Sequence, residues 1–417
     1  MTYIEFYDND VVKNILSCLS AKPDKVILIG YKDKLLKKQA EIYRKFFLDR
    51  WMDIDFQYMK INKDDLTDCT GKLIRVIEEN DDCHFDITGG DEISLVALGM
   101  VYEKYKDKKT IQIHKFNINN GHILDCDKDG FILENAHEPV LKVEELISLK
   151  GGQVVYEDED SSGTPIWEMD DEFIDDIHKI WNICKADVRL WNTQINVLNV
   201  IEMHRDQRQE ELLTISPTVY VSEYFKEKNH RFFLDFSIMK SLVNYGLLES
   251  YSIDNSSITI KYKNEQVKKC LTKAGNILEL IIYATACQLK DVNGKKVYND
   301  VMNGVYIDWD GIIENKENAV ETRNEVDVIM MKGVVPVFVS CKNGQIDTEE
   351  LYKFNTVADH FGGKAVKKIL IATSLGDDLH SNSIRKRAID MKIKLIEDLQ
   401  YLDEDAIAKK IGNFCNG

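Results

Sequence analysis

No uninterrupted apolar run in this 417-residue chain approaches the roughly 20 residues that span a bilayer. The N-terminus MTYIEFYDNDVVKN lacks the basic-then-apolar order of a secretory signal, so a cytoplasmic protein without a membrane partner is expected. Paired cysteines are missing too. The nine thiols (Cys18, Cys69, Cys83, Cys126, Cys184, Cys270, Cys287, Cys341, Cys415) stand singly, with no CxxC pair and no close Cys/His cluster. That argues against a zinc site and for buried, reduced thiols. Arginine is scarce, 10 of 54 basic residues, which leaves few bidentate phosphate clamps. The formal charge of -17 argues against diffuse binding to nucleic acid, though not against a local basic groove. Neither GxGxxG nor GxxxxGK[ST] occurs, which disfavours an ordinary dinucleotide or nucleoside triphosphate site.

What is present suggests two or three domains, given 44% hydrophobic residues over this length. Up to about residue 116 the chain alternates buried strands (KVILIG 25–30, IDFQYMKI 54–61, CHFDIT 83–88, TIQIHKF 110–116) with amphipathic helices. This order implies a parallel, Rossmann-like sheet with right-handed crossovers, and 118–134 reads as an appended hairpin turning at Asp127 to Gly130. The stretch GGQVVYEDEDSSGT, acidic and turn-forming, marks a boundary after residue 150. From 151 to 265 helical patterns carry Trp167, Trp181 and Trp191, read as packing residues rather than a stacking platform. A helix ending at Gly246 and a strand pair turning at Asp254-Asn255 follow, as in the closing part of a winged helix. Residues 266–417 give a helix (271–289), three strands, a helix (347–363), a strand (367–374) and a basic helical tail, an α/β domain.

Two places carry candidate chemistry. The loop FDITGGDE puts Thr88, Gly89 and Gly90 at the carboxyl end of a parallel strand, where backbone N–H groups and a helix N-terminus approach ligands. A tight turn capped by Asp91 accounts for the same residues. Gly30 and Tyr31, after the first strand, should lie at the same edge. In NEVDVIMMKGVVPVFVSCKNG, Glu325 and Asp327 share a strand face, and pairing can bring Asp327 to Lys342. Glu279 on the preceding helix would complete a carboxylate cluster suited to Mg²⁺ or Mn²⁺, with Lys342 to orient water or neutralise a phosphorane-like transition state. An edge salt bridge is the plain alternative.

Glu279 followed by Asp327-x12-Ser340-x-Lys342 resembles the core of the PD-(D/E)XK nuclease superfamily. With the TGG loop and the phrases TKAGNILE, GVYIDWDG, NEVDV and SCKNG, the whole chain is similar to CRISPR ancillary nucleases that join an N-terminal CARF domain to a C-terminal PD-(D/E)XK domain. The resemblance implies a CARF domain over 1–150, a linker and winged-helix-like region over 151–265, and a nuclease domain over 266–417. It further implies a homodimer binding cyclic tetra-adenylate at Gly30, Tyr31, Thr88, Gly89, Gly90 and Asp91. Metal-binding Glu279, Glu325, Asp327 and the Cys341 carbonyl, with catalytic Lys342, would cleave DNA or RNA.

Two departures stand out. Ser340 occupies the place of the E-x-K carboxylate, for which Glu325 is the available substitute, and Asp91-Glu92 puts two acids beside an anionic ligand. Lys364, Lys367, Lys368, Arg385, Lys386 and Arg387 are expected to meet substrate phosphates or to form a solvated face. The alternative function is a ligand-responsive DNA-binding regulator without nuclease activity, against which the weakly basic helix at 235–245 counts. A HEPN ribonuclease is disfavoured, because no arginine has a histidine four to six intervening residues on.

Overall fold

The structure is a computed structural model that describes residues 1–133, 138–158, 162–203, 218–221, 234–253, 258–272, 276–311, 323–344, 346–373 and 375–415. The expected turn at Asp254-Asn255 and the centre of TKAGNILE lie outside the described residues. The chain is a mixed α/β protein with a Rossmann-like sheet, a helical middle region bearing a small antiparallel sheet, and a second mixed sheet.

The N-terminal sheet has seven strands in the order Asp55–Lys60, Lys25–Gly30, Thr2–Phe6, Asp82–Asp86, Thr110–Asn117, His122–Asp125, Phe131–Ile132. The first five are parallel, and the last two form the appended antiparallel hairpin. Helices Asp33–Leu48, Leu66–Glu79 and Glu92–Tyr105 make the crossovers, the last two N-capped by Asp65 and Asp91. Sequence reading missed the central strand Thr2–Phe6, because five residues that include a glutamate make no apolar run. All five are buried. Its position makes the gap between Phe6 and Asp86 the switch point of the sheet, where α/β folds place their ligands.

In the middle region, helices Asp171–Cys184 and Val188–Met203 bury Trp181 and Trp191, as packing residues should. Helix Phe236–Asn244 is followed by an antiparallel sheet in the order Leu248–Ile253, Ile258–Tyr262, Thr218–Val221.

The C-terminal sheet runs Ile393–Ile396, Lys367–Ala372, Val335–Lys342, Arg323–Lys332, Asp300–Asp308, Gln153–Val155. Two of these strands were not expected. Ile393–Ile396 lies in the stretch read as a helical tail, and Gln153–Val155 lies in the acidic stretch read as a boundary, pairing with Asp300–Asp308. Both are four residues or fewer, too short for periodicity to register. One apolar core runs beneath both large sheets: Tyr43, Phe47 and Leu146 belong to the same cluster as Phe338 and Phe361. The halves are therefore packed together. Six cysteines are buried as expected, whereas Cys126 is exposed. Among the described residues no helix is long and apolar enough to cross a membrane.

Candidate functional site

At the C-terminal sheet, the ladder between Arg323–Lys332 and Val335–Lys342 is paired from Lys332–Val335 to Val328–Val339 and then stops. Continued in register, Asp327 falls opposite Ser340 and Glu325 opposite Lys342. Asp327 Oδ2 accepts hydrogen bonds from the Cys341 N–H at 2.5 Å and the Ser340 hydroxyl at 3.1 Å. Ser340 thus holds Asp327 in place, a role that a glutamate there would not fill. Burial pushes the Asp327 carboxyl up, opposed by Lys342 and the two hydrogen bonds, and reinforced by Glu325. Burial pushes Lys342 down, but the charges of Asp327, Glu350 and Glu279 outweigh it and hold the ammonium above its ordinary value.

The strand is irregular at this point. Val326, Ile329 and Met331 belong to one core, while Val328 and Met330 belong to the other. Strict alternation would group Val326 with Val328, so the phase slips beside Asp327, across from Gly304 at φ 55°. Spacing alone therefore does not decide whether Glu325 and Asp327 share a face. Glu325 adds to the upward push on the Asp327 carboxyl, so the two charges lie within range of one another. Two helices bracket the strand end: Asn276–Gln288 carries Glu279 in its first turn, and Thr348–Gly362 carries Glu350, whose carboxylate is 3.5 Å from Lys342 Nζ. Tyr306 hydrogen-bonds Glu325 and feels Glu279. Asn343 is tied to Asn192 at 2.7 Å, anchoring the end of the Lys342 strand to the middle region.

The donors here are hard oxygens, the chemistry that a divalent cation prefers, and Asp327 is a buried acid that a cation would favour in its ionised form. Among the described residues, however, no three His, Cys, Asp or Glu side chains form a ready-made ligand set. The residues fit the ion by chemistry and not yet by spacing.

Sequence reasoning missed Glu350 and Tyr306. Tyr306 was legible in principle as the cross-strand partner of Glu325, but Glu350 reaches Lys342 only through the return of a helix. The basic residues proposed for substrate are placed otherwise. Lys367 and Lys368 begin a strand whose other end, Ala372, pairs with Lys342, about 16 Å away along the sheet. Lys368 is buried and bound to Asn355 at 2.6 Å and Asp359 at 2.8 Å. Arg385 forms two bonds to Glu397, and Arg387 donates to the Tyr352 hydroxyl at 3.0 Å. The contacts of Lys368, Arg385 and Arg387 are scaffold contacts, because each of these three already has a partner in the fold.

At the N-terminal sheet, the carboxyl edge holds two adjacent cavities. One, of about 530 Å³, is walled by Tyr7, Tyr31, Lys63, Gly90 and Asp91 among others. The second, of about 480 Å³, is walled by Thr88, Lys115 and Phe116, and Lys364 lines both. The structure therefore brings Tyr31, Gly90 and Asp91 together and sets Thr88 on the neighbouring wall. Among the described residues the buried Tyr31 hydroxyl lacks a hydrogen-bond partner. Thr88 is committed to the fold: its hydroxyl donates to Asp86 Oδ1 at 2.5 Å and accepts from the Phe116 N–H at 2.6 Å.

The glycines are explained by packing. A Cβ on Gly89 would meet the Phe6 carbonyl at 2.7 Å, one on Gly90, at φ 98°, would meet Phe6 Cβ at 2.9 Å, and one on Gly30 would meet Leu36 and Tyr7. Asp91 spends its carboxylate on the helix cap, accepting from the N–H groups of Ile93 and Ser94 and from the Ser94 hydroxyl. Beneath the loop lie two buried acids, Glu5 and Asp86, both pushed up chiefly by burial.

The architecture is thus of a Rossmann-like sheet packed on a second mixed α/β sheet. No family model matches the chain, and no curated protein matches it. Among solved structures it is similar to protein VC1899 from Vibrio cholerae, at 16% identity and a TM-score of 0.70, covering 99% of this chain and 97% of that one. It is also similar to Can2 from Sulfobacillus thermosulfidooxidans, solved in complex with cyclic tetra-adenylate, at 13% identity and a TM-score of 0.64, covering 100% and 99%. At these identities the likeness establishes a common fold over the whole length.

Proposed function

We propose that the chain is a cyclic-oligoadenylate-responsive CRISPR ancillary effector whose C-terminal sheet is a metal-dependent endonuclease, activated by cyclic tetra-adenylate. The observation that carries the nuclease half is the parted strand end, where Asp327 and Lys342 meet between the helices of Glu279 and Glu350. Glu279, Glu325, Asp327 and the Cys341 carbonyl would hold Mn²⁺ or Mg²⁺. A bound divalent ion supplies a water of lowered pKa and neutralises charge on the phosphodiester. Lys342, kept cationic by its acidic neighbours, orients the attacking water and stabilises negative charge on the phosphate. Ser340 and the Cys341 N–H hold Asp327 in position.

The sensing half, 1–150, takes its ligand at the switch point. The two cavities each fall within the range of about 300–1,000 Å³ usual for small-molecule sites. The unpartnered Tyr31 hydroxyl and Lys63, 5.9 Å above the Tyr31 ring, offer a donor and a cation. A ring of four nucleotides suits a two-fold homodimer in which each protomer contributes half the site. Helix Glu92–Tyr105, leaving the ligand loop, exposes Val96 and Met100, an apolar face suited to a second copy of the chain. Residues 151–265 link the two halves, and 266–417 form the nuclease with Gln153–Val155 at its edge.

The test is cleavage of DNA and RNA substrates with Mn²⁺, Mg²⁺ or EDTA, with and without cyclic tetra-adenylate, for wild type and Lys342→Ala. Cleavage that requires metal, rises with ligand and falls on the order of 10²–10³-fold in the variant is expected. Ligand-dependent DNA binding without cleavage would instead establish a regulator.

A further inference from the structure

Lys364 belongs to the C-terminal half, on the short turn Gly363–Ala365, yet it lines both cavities of the N-terminal sheet. Its side chain is exposed, and among the described residues its ammonium makes no ion pair; the same holds for Lys32, Lys63 and Lys115 around that edge. Three of the nearby acids are already engaged. Asp10 accepts from Lys150 Nζ at 2.5 Å and from the Lys364 N–H at 3.2 Å. Asp8 accepts from the Asp10 N–H at 2.7 Å and lies 3.7 Å from Lys13, and Asp91 caps its helix. Four lysines without an ion pair among the described residues therefore surround the two cavities, whose wall also carries Glu92.

Lys364 also stands at the end of a lever. It lies two residues beyond the end of helix Thr348–Gly362, whose first turn sets Glu350 against Lys342 at 3.5 Å. The turn is pinned between the halves. Gly363, at φ 66°, sits where a Cβ would meet Asp10 Oδ2 at 2.7 Å and Lys150 Nζ at 2.9 Å, and Phe361 packs against Trp309 and Gly152. Fifteen helical residues, about 22 Å, separate the two ends.

We propose that Lys364 is an anion-binding residue of the N-terminal cavity, and that it relays occupancy to Lys342 through helix Thr348–Gly362 and the positioning residue Glu350. The inference rests on the effector reading above and adds the contact by which the ligand reaches the nuclease half. Without ligand, Glu350 holds Lys342 aside. A ligand phosphate bound to Lys364 favours the arrangement in which the helix has moved and Lys342 turns to substrate, and its differential contact with Lys364 provides the coupling.

The experiment titrates full-length wild type, Lys364→Ala, Lys364→Arg and Glu350→Gln calorimetrically with cyclic tetra-adenylate, and assays Mn²⁺-dependent cleavage with and without it. Lys364→Ala should bind about tenfold more weakly, the loss of one charge-assisted contact, and should be poorly stimulated even at saturating ligand. Lys364→Arg should recover both properties. Glu350→Gln should cleave without ligand at close to the stimulated rate and, because the coupling is reciprocal, should bind the ligand more tightly than wild type. The double variant should be active and ligand-insensitive, which a purely structural role would not produce. If wild type binds and is stimulated while Lys364→Ala equals it in both, the inference is overturned and the effector reading stands. A Glu350→Gln protein with wild-type ligand dependence overturns the relay. A wild type that does not bind overturns the effector reading and the inference with it.

Discussion

The two sheet edges use opposite means to hold their polar residues. At the C-terminal sheet the candidate chemistry sits on strands: Lys342 is placed by its register with Ala372, and Asp327 is fixed by the Ser340 hydroxyl and the Cys341 N–H. At the N-terminal sheet the candidate residues sit on loops, and the motif-like ones serve the fold first. Gly89 and Gly90 pack on Phe6, Thr88 ties Asp86 to Phe116, and Asp91 caps a helix. Strands position a few atoms accurately for chemistry, whereas loops frame cavities whose walls come from several places in the chain. The difference suits a site that must act on a bond and a site that must enclose a ligand.

The largest effect expected from breaking this comparison is at Asp327. Asp327→Asn should lower metal-dependent cleavage by 10³-fold or more, on the order seen when a positioned catalytic group is removed. It should leave cyclic tetra-adenylate binding intact. Because burial raises the carboxyl, the native charge opposes folding above the folded-state pKa. The melting temperature of the variant near pH 8 should therefore equal or exceed that of wild type. A clear loss of stability would show that Asp327 is chiefly structural.

Gly89→Ala makes the reverse trade. Its Cβ would press on the Phe6 carbonyl, a backbone atom that cannot swing away, so denaturant unfolding should show a loss of about 1–3 kcal/mol with Lys342 chemistry untouched. Unchanged stability with lost ligand binding would mean that the glycine serves the ligand directly.

Lys63→Ala should weaken cyclic tetra-adenylate binding up to about tenfold, read by calorimetry, without altering the melting temperature, because Lys63 is exposed.

The smallest effect is a pH dependence at the buried pair. Glu5 and Asp86 are both raised, so their protonated forms stabilise the fold, and that contribution is lost as pH rises through the folded-state values. Glu5→Gln should melt close to wild type near pH 5 and progressively higher than wild type toward pH 9. A constant difference across that range would remove the acid pair from the account.

Much of the fold was legible because it follows from periodicity. The other four parallel strands of the first sheet, the helices between them and the paired strands around Met331–Gly333 carry clear apolar patterns. Gln153–Val155 and Ile393–Ile396 did not, being short, nor did Thr2–Phe6, whose Glu5 interrupts its apolar residues, and the last of these hid the loop Tyr7–Asp10 that walls the larger cavity. The lysines at 364, 367 and 368, read as one group, are parted in the fold for a related reason. Adjacency in sequence groups them, while the strand that starts between them sends Lys364 to the cavity and buries Lys368 against Asp359.

What the chain alone determined was local: which segments alternate, which acids cap helices, and that Asp327 and Lys342 lie within pairing distance of one another. Tertiary structure decided the rest. The slip at Asp327, the approach of Glu350 to Lys342 and the presence of Lys364 in a cavity built by residues more than 270 positions away all depend on separated elements packing on a shared core. No local preference encodes such contacts, because their energy exists only once distant surfaces have left water together.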